Sequence, residues 1–535
     1  MEALPVPLLF VCALSVGFYA FMRRSQKQQS FLPLPPGPTK LPLLGNLLDM
    51  PAERPWETWH RWSKEFGSDI MHLDVAGDSI VVLESLDAVK ELFDRRSALY
   101  SQRGRFPMVM ELLDWNWSLG TIKYGDFWRK CRKSFHDSFN AVAVKQFRPQ
   151  ETRAVHELLR GLLDDPQDIM GKFRLMATSL IMDMTYGIKI LPQKDPYLPL
   201  ISEVMHVFTV TSVPGAFLVD TFPILKFVPS WFPGARFKRQ AATWRPMIQD
   251  MRRLPWEETK RQVESGTAPP SFAANTLRAL DNNNPNGGLG SDWEEVAKTV
   301  AANVLGAGAD TTVAALGWFV LAMLAYPDVQ KKAQAELDAV LGHGALPTFD
   351  DEAALPYTTA LVKEVLRWKP VGPLGALVPV VRAENIVNFV VEGLPHFVDV
   401  EDEYAGYRIP AGSTVIANTW ALLRDESIYP DPIPFKPERF LHDGQLDPNV
   451  RDPETIAFGF GRRICPGRNF ASSTLWLTIA SMLATFDIEK ATDAEGRILE
   501  PNYDGFPGLI SAPLPFECTI KPRSVRTVQA IQSTV

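Results

Sequence analysis

Phe458-Gly459-Phe460-Gly461-Arg462-Arg463-Ile464-Cys465-Pro466-Gly467 is a glycine-punctuated loop that leads into the helical pattern Asn469 to Leu483. Glycine takes backbone angles closed to other residues and lets a flat group approach the chain, so Gly461 and Gly467 are expected to serve that approach. Pro466 suits the first position of a helix, which places Cys465 at a helix start. Unpaired N–H groups there stabilise a thiolate, the form of cysteine that binds metal. A lone buried cysteine is more often a small hydrophobe than a ligand, so the reading depends on its company.

Three spacings outside the loop matter. Glu364 and Arg367 stand i, i+3 on one helical face, and further on comes Phe435-x-Pro437-Glu438-Arg439-Phe440. Such a pair at a surface contributes only a few tenths of a kcal/mol, so alone it means little. Ala307-Gly308-Ala309-Asp310-Thr311 lies in an apolar helical run from Trp293 to Tyr326, with Ser291 or Asp292 as the expected N-cap and Pro327 as the stop. A charge in mid-membrane costs ~2.5–3.5 kcal/mol, so Asp310 argues for a buried core helix rather than a membrane span. Trp128 and Arg132 share a face at i, i+4, and Cys131 between them points elsewhere.

The loop matches the haem-binding signature of the cytochrome P450 family at every defined position: Phe458, Gly461, Arg463, Cys465 and Gly467. The other elements follow in the family's order, and the chain is identified as a member from end to end. The resemblance implies a mainly α fold with small β-sheets, carrying haem b with Cys465 as the axial iron ligand. It implies that Arg463, Trp128 and Arg132 contact haem propionates, and that Arg439 joins Glu364 and Arg367 in a structural triad supporting the haem loop. Thr311 would hydrogen-bond dioxygen, Asp310 would help relay protons for O–O cleavage, and Gly308 would leave room for oxygen. The competing reading is that Asp310 and Thr311 only bond to neighbouring backbone.

The chain has 535 residues, 46% hydrophobic and 22% charged, with 62 acidic against 55 basic residues. It can bury a large core, and no basic stripe points to nucleic acid. The four cysteines (Cys12, Cys131, Cys465 and Cys518) lack the spacing of a zinc site or a disulfide framework. Leu4 to Met22 is apolar and long enough to cross a bilayer at ~20 residues per span. Arg23, Arg24 and Lys27 follow, favouring a cytosolic catalytic domain, and no small-residue cleavage site follows the apolar run. The expected organisation is an anchor over 1–24, a stiff Pro-rich connector over 25–45 (Pro33, Pro35, Pro36, Gly37, Pro38) and a haem-thiolate domain over 46–535. Asp281 to Asp292 is expected to be a surface loop, and Ile70 to Leu83 and Val387 to Val391 are expected to be strand-like.

One stretch departs from the family. Pro373-Leu374-Gly375 should run almost directly into the Leu-Pro-His found at Leu394-Pro395-His396, so about eighteen residues, Ala376 to Gly393, stand as an insertion or a retained intron. Sequencing the transcript is expected to show a shorter reading frame. Phe397 stands where many relatives carry an arginine that contacts a propionate.

The resemblance is nearest to fungal microsomal members similar to O-methylsterigmatocystin oxidoreductase. It implies a monooxygenase of secondary metabolism at the endoplasmic reticulum membrane, single-pass, taking electrons from NADPH through NADPH-cytochrome P450 reductase, with cytochrome b5 as a further partner. Phe208, Phe217, Phe222, Phe227, Trp231 and Phe232, broken by prolines, resemble an access and membrane-contact region for a lipophilic substrate, or else form a helical-domain core. The alternatives are a thiolate-haem isomerase or dehydratase, against which intact Asp310-Thr311 argues, and a non-catalytic membrane haem protein if the insertion blocks the pocket.

Overall fold

The computed structural model describes residues 32–51, 54–191, 194–211, 217–283, 290–372, 376–378, 390–392, 394–506 and 510–534. The expected anchor, the first part of the connector and the whole of 379–389 lie outside the described residues. Helices dominate, and among the described residues the strands form one four-stranded sheet and four two-stranded ones.

The axis of the fold is the central helix Gly290–Ala325, 36 residues and roughly 54 Å long at 1.5 Å per residue. It is apolar enough to cross a membrane, yet most of its apolar length is buried inside the protein, because helices enclose it. Ile169–Tyr186, Asp126–Phe139, Phe272–Asn283, Arg236–Glu264, Pro356–Trp368 and Arg468–Thr485 all pack on it. Val300, Leu305, Leu316, Phe319 and Leu321 are buried in the resulting core, each contributing ~1.5–3 kcal/mol from lost apolar exposure. The helix begins at Gly290, so Ser291 and Asp292 lie inside its first turn rather than capping it, and Asp292 there complements the helix dipole.

The largest sheet has the order β1-β2-β8-β5, from β1 (Ile70–Val75), β2 (Asp78–Leu83), β5 (His396–Val398) and β8 (Ser413–Ala417). Ala76 and Gly77 both take positive φ, 51° and 95°, which turns β1 into β2 in a tight hairpin. β2 then pairs in parallel with β8, Ile80 opposite Thr414, and β8 pairs antiparallel with β5, Val415 opposite His396. Distant parts of the chain thus meet in one sheet.

The described part of the stiff Pro-rich connector is bonded to the rest of the protein. The Pro33 carbonyl accepts from the Arg408 N–H at 2.8 Å and the Pro36 carbonyl from the His72 N–H at 3.0 Å. Prolines cannot donate, but their extended backbone presents carbonyls to adjoining chain, and at Gly37 a Cβ would lie 2.3 Å from the His72 carbonyl oxygen. Packing therefore begins well before residue 46. The doubtful segment 376–393 enters and leaves as a two-stranded antiparallel ribbon, β3 (Ala376–Val378) with β4 (Val390–Glu392), Leu377 opposite Val391. The expected loop at Asp281 to Asp292 starts inside helix Phe272–Asn283, and residues 284–289 lie outside the described residues.

Candidate active site

The cysteine loop is shaped by Gly461. Its φ is +58°, and a Cβ there would meet the Phe93 carbonyl oxygen at 2.0 Å, so both backbone angle and space require glycine. Its N–H donates to Asp94 Oδ1 at 2.7 Å. Gly467 differs from expectation: its φ is −89°, open to any residue, and its Cβ would lie 4.0 Å from Cys465 Sγ. The helix proper starts at Arg468, so Pro466 belongs to the turn ahead of it. Burial pushes the Cys465 thiol up; the Gly467 N–H, the guanidinium groups of Arg132 and Arg468, and the Arg468 N–H all favour the thiolate instead.

Arg463, Arg103 and Arg132, beside the loop, have no carboxylate partner among the described residues. Arg463 donates to the carbonyls of Ser101 (2.8 Å), Leu119 (2.9 Å) and Ile122 (2.8 Å), and its guanidinium stands 4.6 Å from the Trp128 ring centre. Burial lowers it to about 10, and Arg132 adds to the effect. Arg103, which no local motif marks, is buried and donates to the carbonyls of Gly120 (2.8 Å) and Pro395 (2.6 Å). Burial, then Arg463, holds it well below the ordinary arginine range. Burial also lowers Arg132. Trp128 donates its indole N–H to the Leu119 carbonyl at 3.2 Å. His396 is buried, donates through Nδ1 to the Tyr100 carbonyl at 2.7 Å and stacks on Phe93 at 3.8 Å between ring centres. Burial, Arg103 and Arg463 keep it neutral. Phe397 sits in β5 and lies close to Gly104.

Across from the loop, Ala307 and Thr311 keep accessible surface in mid-helix although Leu305, Ala309 and Val313 around them are buried. Leu119 ties that face to the loop, since its N–H bonds Asn303 on the central helix and its carbonyl bonds Arg463. Thr311 Oγ1 donates to the Ala307 carbonyl at 2.8 Å, the local bonding of the competing reading. Asp310 is raised by burial and sits 3.7 Å from Arg174 Nε on helix Ile169–Tyr186. Gly308 does not open space beside Thr311; its Cβ would lie 2.6 Å from Ile181 Cδ1, so the glycine serves close approach of two helices.

The structure brings Glu364, Arg367 and Arg439 together. Arg367 holds Glu364 with two bonds, 2.7 and 2.8 Å, and both are buried. Arg439 Nε adds 3.2 Å to the same carboxylate, and its other nitrogens bond the carbonyls of Pro430 and Asp431. Removing one partner would strand a buried charge, at ~3–5 kcal/mol.

The family model for cytochrome P450 matches residues 35–378 and 386–519. Among similar proteins are cytochrome P450 monooxygenase 98 of Postia placenta, 45% identical over 97% of this chain and 95% of that protein, and cytochrome P450 monooxygenase ple1 of Rhodocybe pseudopiperita, 41% identical over 99% and 97%. Tryptamine 4-monooxygenase of Psilocybe cyanescens is 39% identical over 96% of this chain and 97% of that protein. The chain belongs to the cytochrome P450 family, and its activity is that of a P450 monooxygenase. Members of this family carry haem iron and generally work with redox partners and lipophilic substrates. The residues here fit such a group: one thiol with backbone N–H groups aimed at it, and cations withdrawn from solvent that have no acidic partner among the described residues, suited to a dianionic cofactor.

Proposed function

We propose that this chain is a membrane-anchored haem-thiolate enzyme of fungal secondary metabolism that inserts one atom of O2 into a lipophilic small molecule. In balance, RH, O2, NADPH and H⁺ give ROH, H2O and NADP⁺. Electrons come through NADPH-cytochrome P450 reductase, with cytochrome b5 as a second donor, and the enzyme works on the cytosolic face of the endoplasmic reticulum. Support comes from the fungal sources of its relatives, from the basic residues after Leu4 to Met22, and from exposed Phe222, Ile224, Phe227 and Trp231 on one short segment. Phe208, by contrast, is buried in the helical core.

The observation that carries the reading is Cys465, its sulfur faced by the Gly467 and Arg468 N–H groups beside Arg132, which has no carboxylate partner among the described residues. Cys465 Sγ would ligate the iron, and Arg463 and Arg132 would hold the propionates, with the Trp128 ring centre 4.6 Å from the Arg463 guanidinium. Haem supplies the site for oxygen activation. Thr311 Oγ1 turns from the Ala307 carbonyl to hold a proton at the oxygen side, and the Asp310 carboxylate, in contact with half-exposed Arg174, takes protons from solvent. The test is the carbon monoxide difference spectrum of the reduced full-length protein. A strongly red-shifted Soret band, lost in Cys465→Ser, is expected; a neutral-ligand band overturns the assignment. Substrate-dependent consumption of NADPH and oxygen with added reductase separates a monooxygenase from an isomerase.

A further inference from the structure

Asn303 is a polar residue in the apolar run of the central helix, between buried Ala302 and Val304. An amide there is costly unless it is bonded, and this one is bonded at three points. Its Oδ1 accepts the Leu119 N–H at 2.8 Å; its Nδ2 donates to the Thr299 carbonyl at 2.8 Å and to the Trp117 carbonyl at 3.4 Å. The side chain therefore grips the 117–119 loop by two backbone groups. On its other side, the Leu119 carbonyl accepts from Arg463 Nη1 at 2.9 Å and Trp128 Nε1 at 3.2 Å. Arg252, bonded to Thr299 Oγ1 at 2.9 Å and standing 5.3 Å from the Trp117 ring centre, closes the outer flank of this clamp. Asn303, Ala307 and Thr311 follow at i, i+4 and i+8 on one face.

We propose that Asn303 is a positioning residue. It fixes the Leu119 peptide, Leu119 fixes Arg463 and Trp128, and the helix over the oxygen side is thereby tied to the side chains that meet the propionates. The inference rests on the haem-thiolate reading above and adds a residue that acts through the Leu119 peptide. A displacement of the central helix on substrate entry would reach Arg463 through two hydrogen bonds.

The test uses the full-length, haem-loaded protein and the variants Asn303→Leu, Trp128→Phe and their double. Asn303→Leu is expected to raise the rate of haem transfer to an excess of apo-globin about ten-fold, equivalent to ~1.4 kcal/mol. The ferric/ferrous midpoint potential should fall as the Arg463 charge loses its placement, while the thermal unfolding midpoint of the loaded protein moves little. Because both variants act through Leu119, the double should lose haem more slowly than the product of the two single effects predicts. Should Asn303→Leu not fold, Asn303→Gln, which keeps the amide but displaces it by one methylene, gives the same readouts at smaller amplitude. Wild-type haem loss and potential in the folded variants, or effects that simply multiply, overturn the positioning role. If the unmodified protein lacks the red-shifted carbon monoxide band, the reading of the site has failed instead.

Discussion

Glu151 is buried with no ion-pair partner among the described residues, accepting from Thr474 Oγ1 at 2.8 Å and Ser473 Oγ at 3.1 Å on the helix that follows Cys465. Burial raises it to about 7, against those hydroxyls and Arg148. A carboxyl raised by folding binds its proton more tightly in the native state. Its contribution is therefore complete below the ordinary glutamate range and is lost as pH climbs through about 7. Glu151→Gln should flatten the fall in stability over that window and leave the variant more stable than the parent at pH ~8, as read from urea midpoints at several pH values. The same scale explains what the sequence could disclose. The Glu364–Arg367 pair is local, and the cysteine signature is contiguous, so both are legible. Glu151, Asn303 and Arg103 take their meaning from partners 323, 184 and 292 residues away, and no local pattern records such contacts.

Among the elements, the central helix was legible in type and length because its centre is mostly apolar and no proline interrupts it between Trp293 and Tyr326. Which face of it meets which neighbour was not. Gly308 is the instance: the motif suggests an opening, whereas the helix Ile169–Tyr186 fills it. Gly308→Ala should overpack this contact and cost ~1–3 kcal/mol, and Ile181→Val or Ile181→Ala in the same chain should recover much of that loss in thermal unfolding. Gly461→Ala offers a contrast. There the obstacle is the Phe93 backbone and the strain is in φ, so no side-chain substitution nearby should restore haem content.

For the whole molecule, the family match resumes at 386 after stopping at 378, and the described ends of the doubtful segment pair as β3 and β4. Its exit is held firmly: Leu394 packs where a Cβ on Gly120 would sit, and Arg103 bonds the Pro395 carbonyl. A change of length between 376 and 393 can therefore leave the loop that receives Arg463 intact. Sequencing mature message is expected to give a shorter frame there; recovery of the full segment would make the ribbon a genuine part of the protein. Either way the shorter form should bind haem.

The gathering of Arg103, Arg132 and Arg463, with no acidic partner among the described residues, also bears on how the protein matures. Positive charges held close together with little water between them repel, so the empty polypeptide carries a folding handicap that a dianionic cofactor removes. Because ligand binding to the native state stabilises it by mass action, the folded fraction in a cell follows the free cofactor concentration. Steady-state abundance of this protein is then set as much by haem biosynthesis as by its own transcription, and haem-starved cells should clear it by proteolysis.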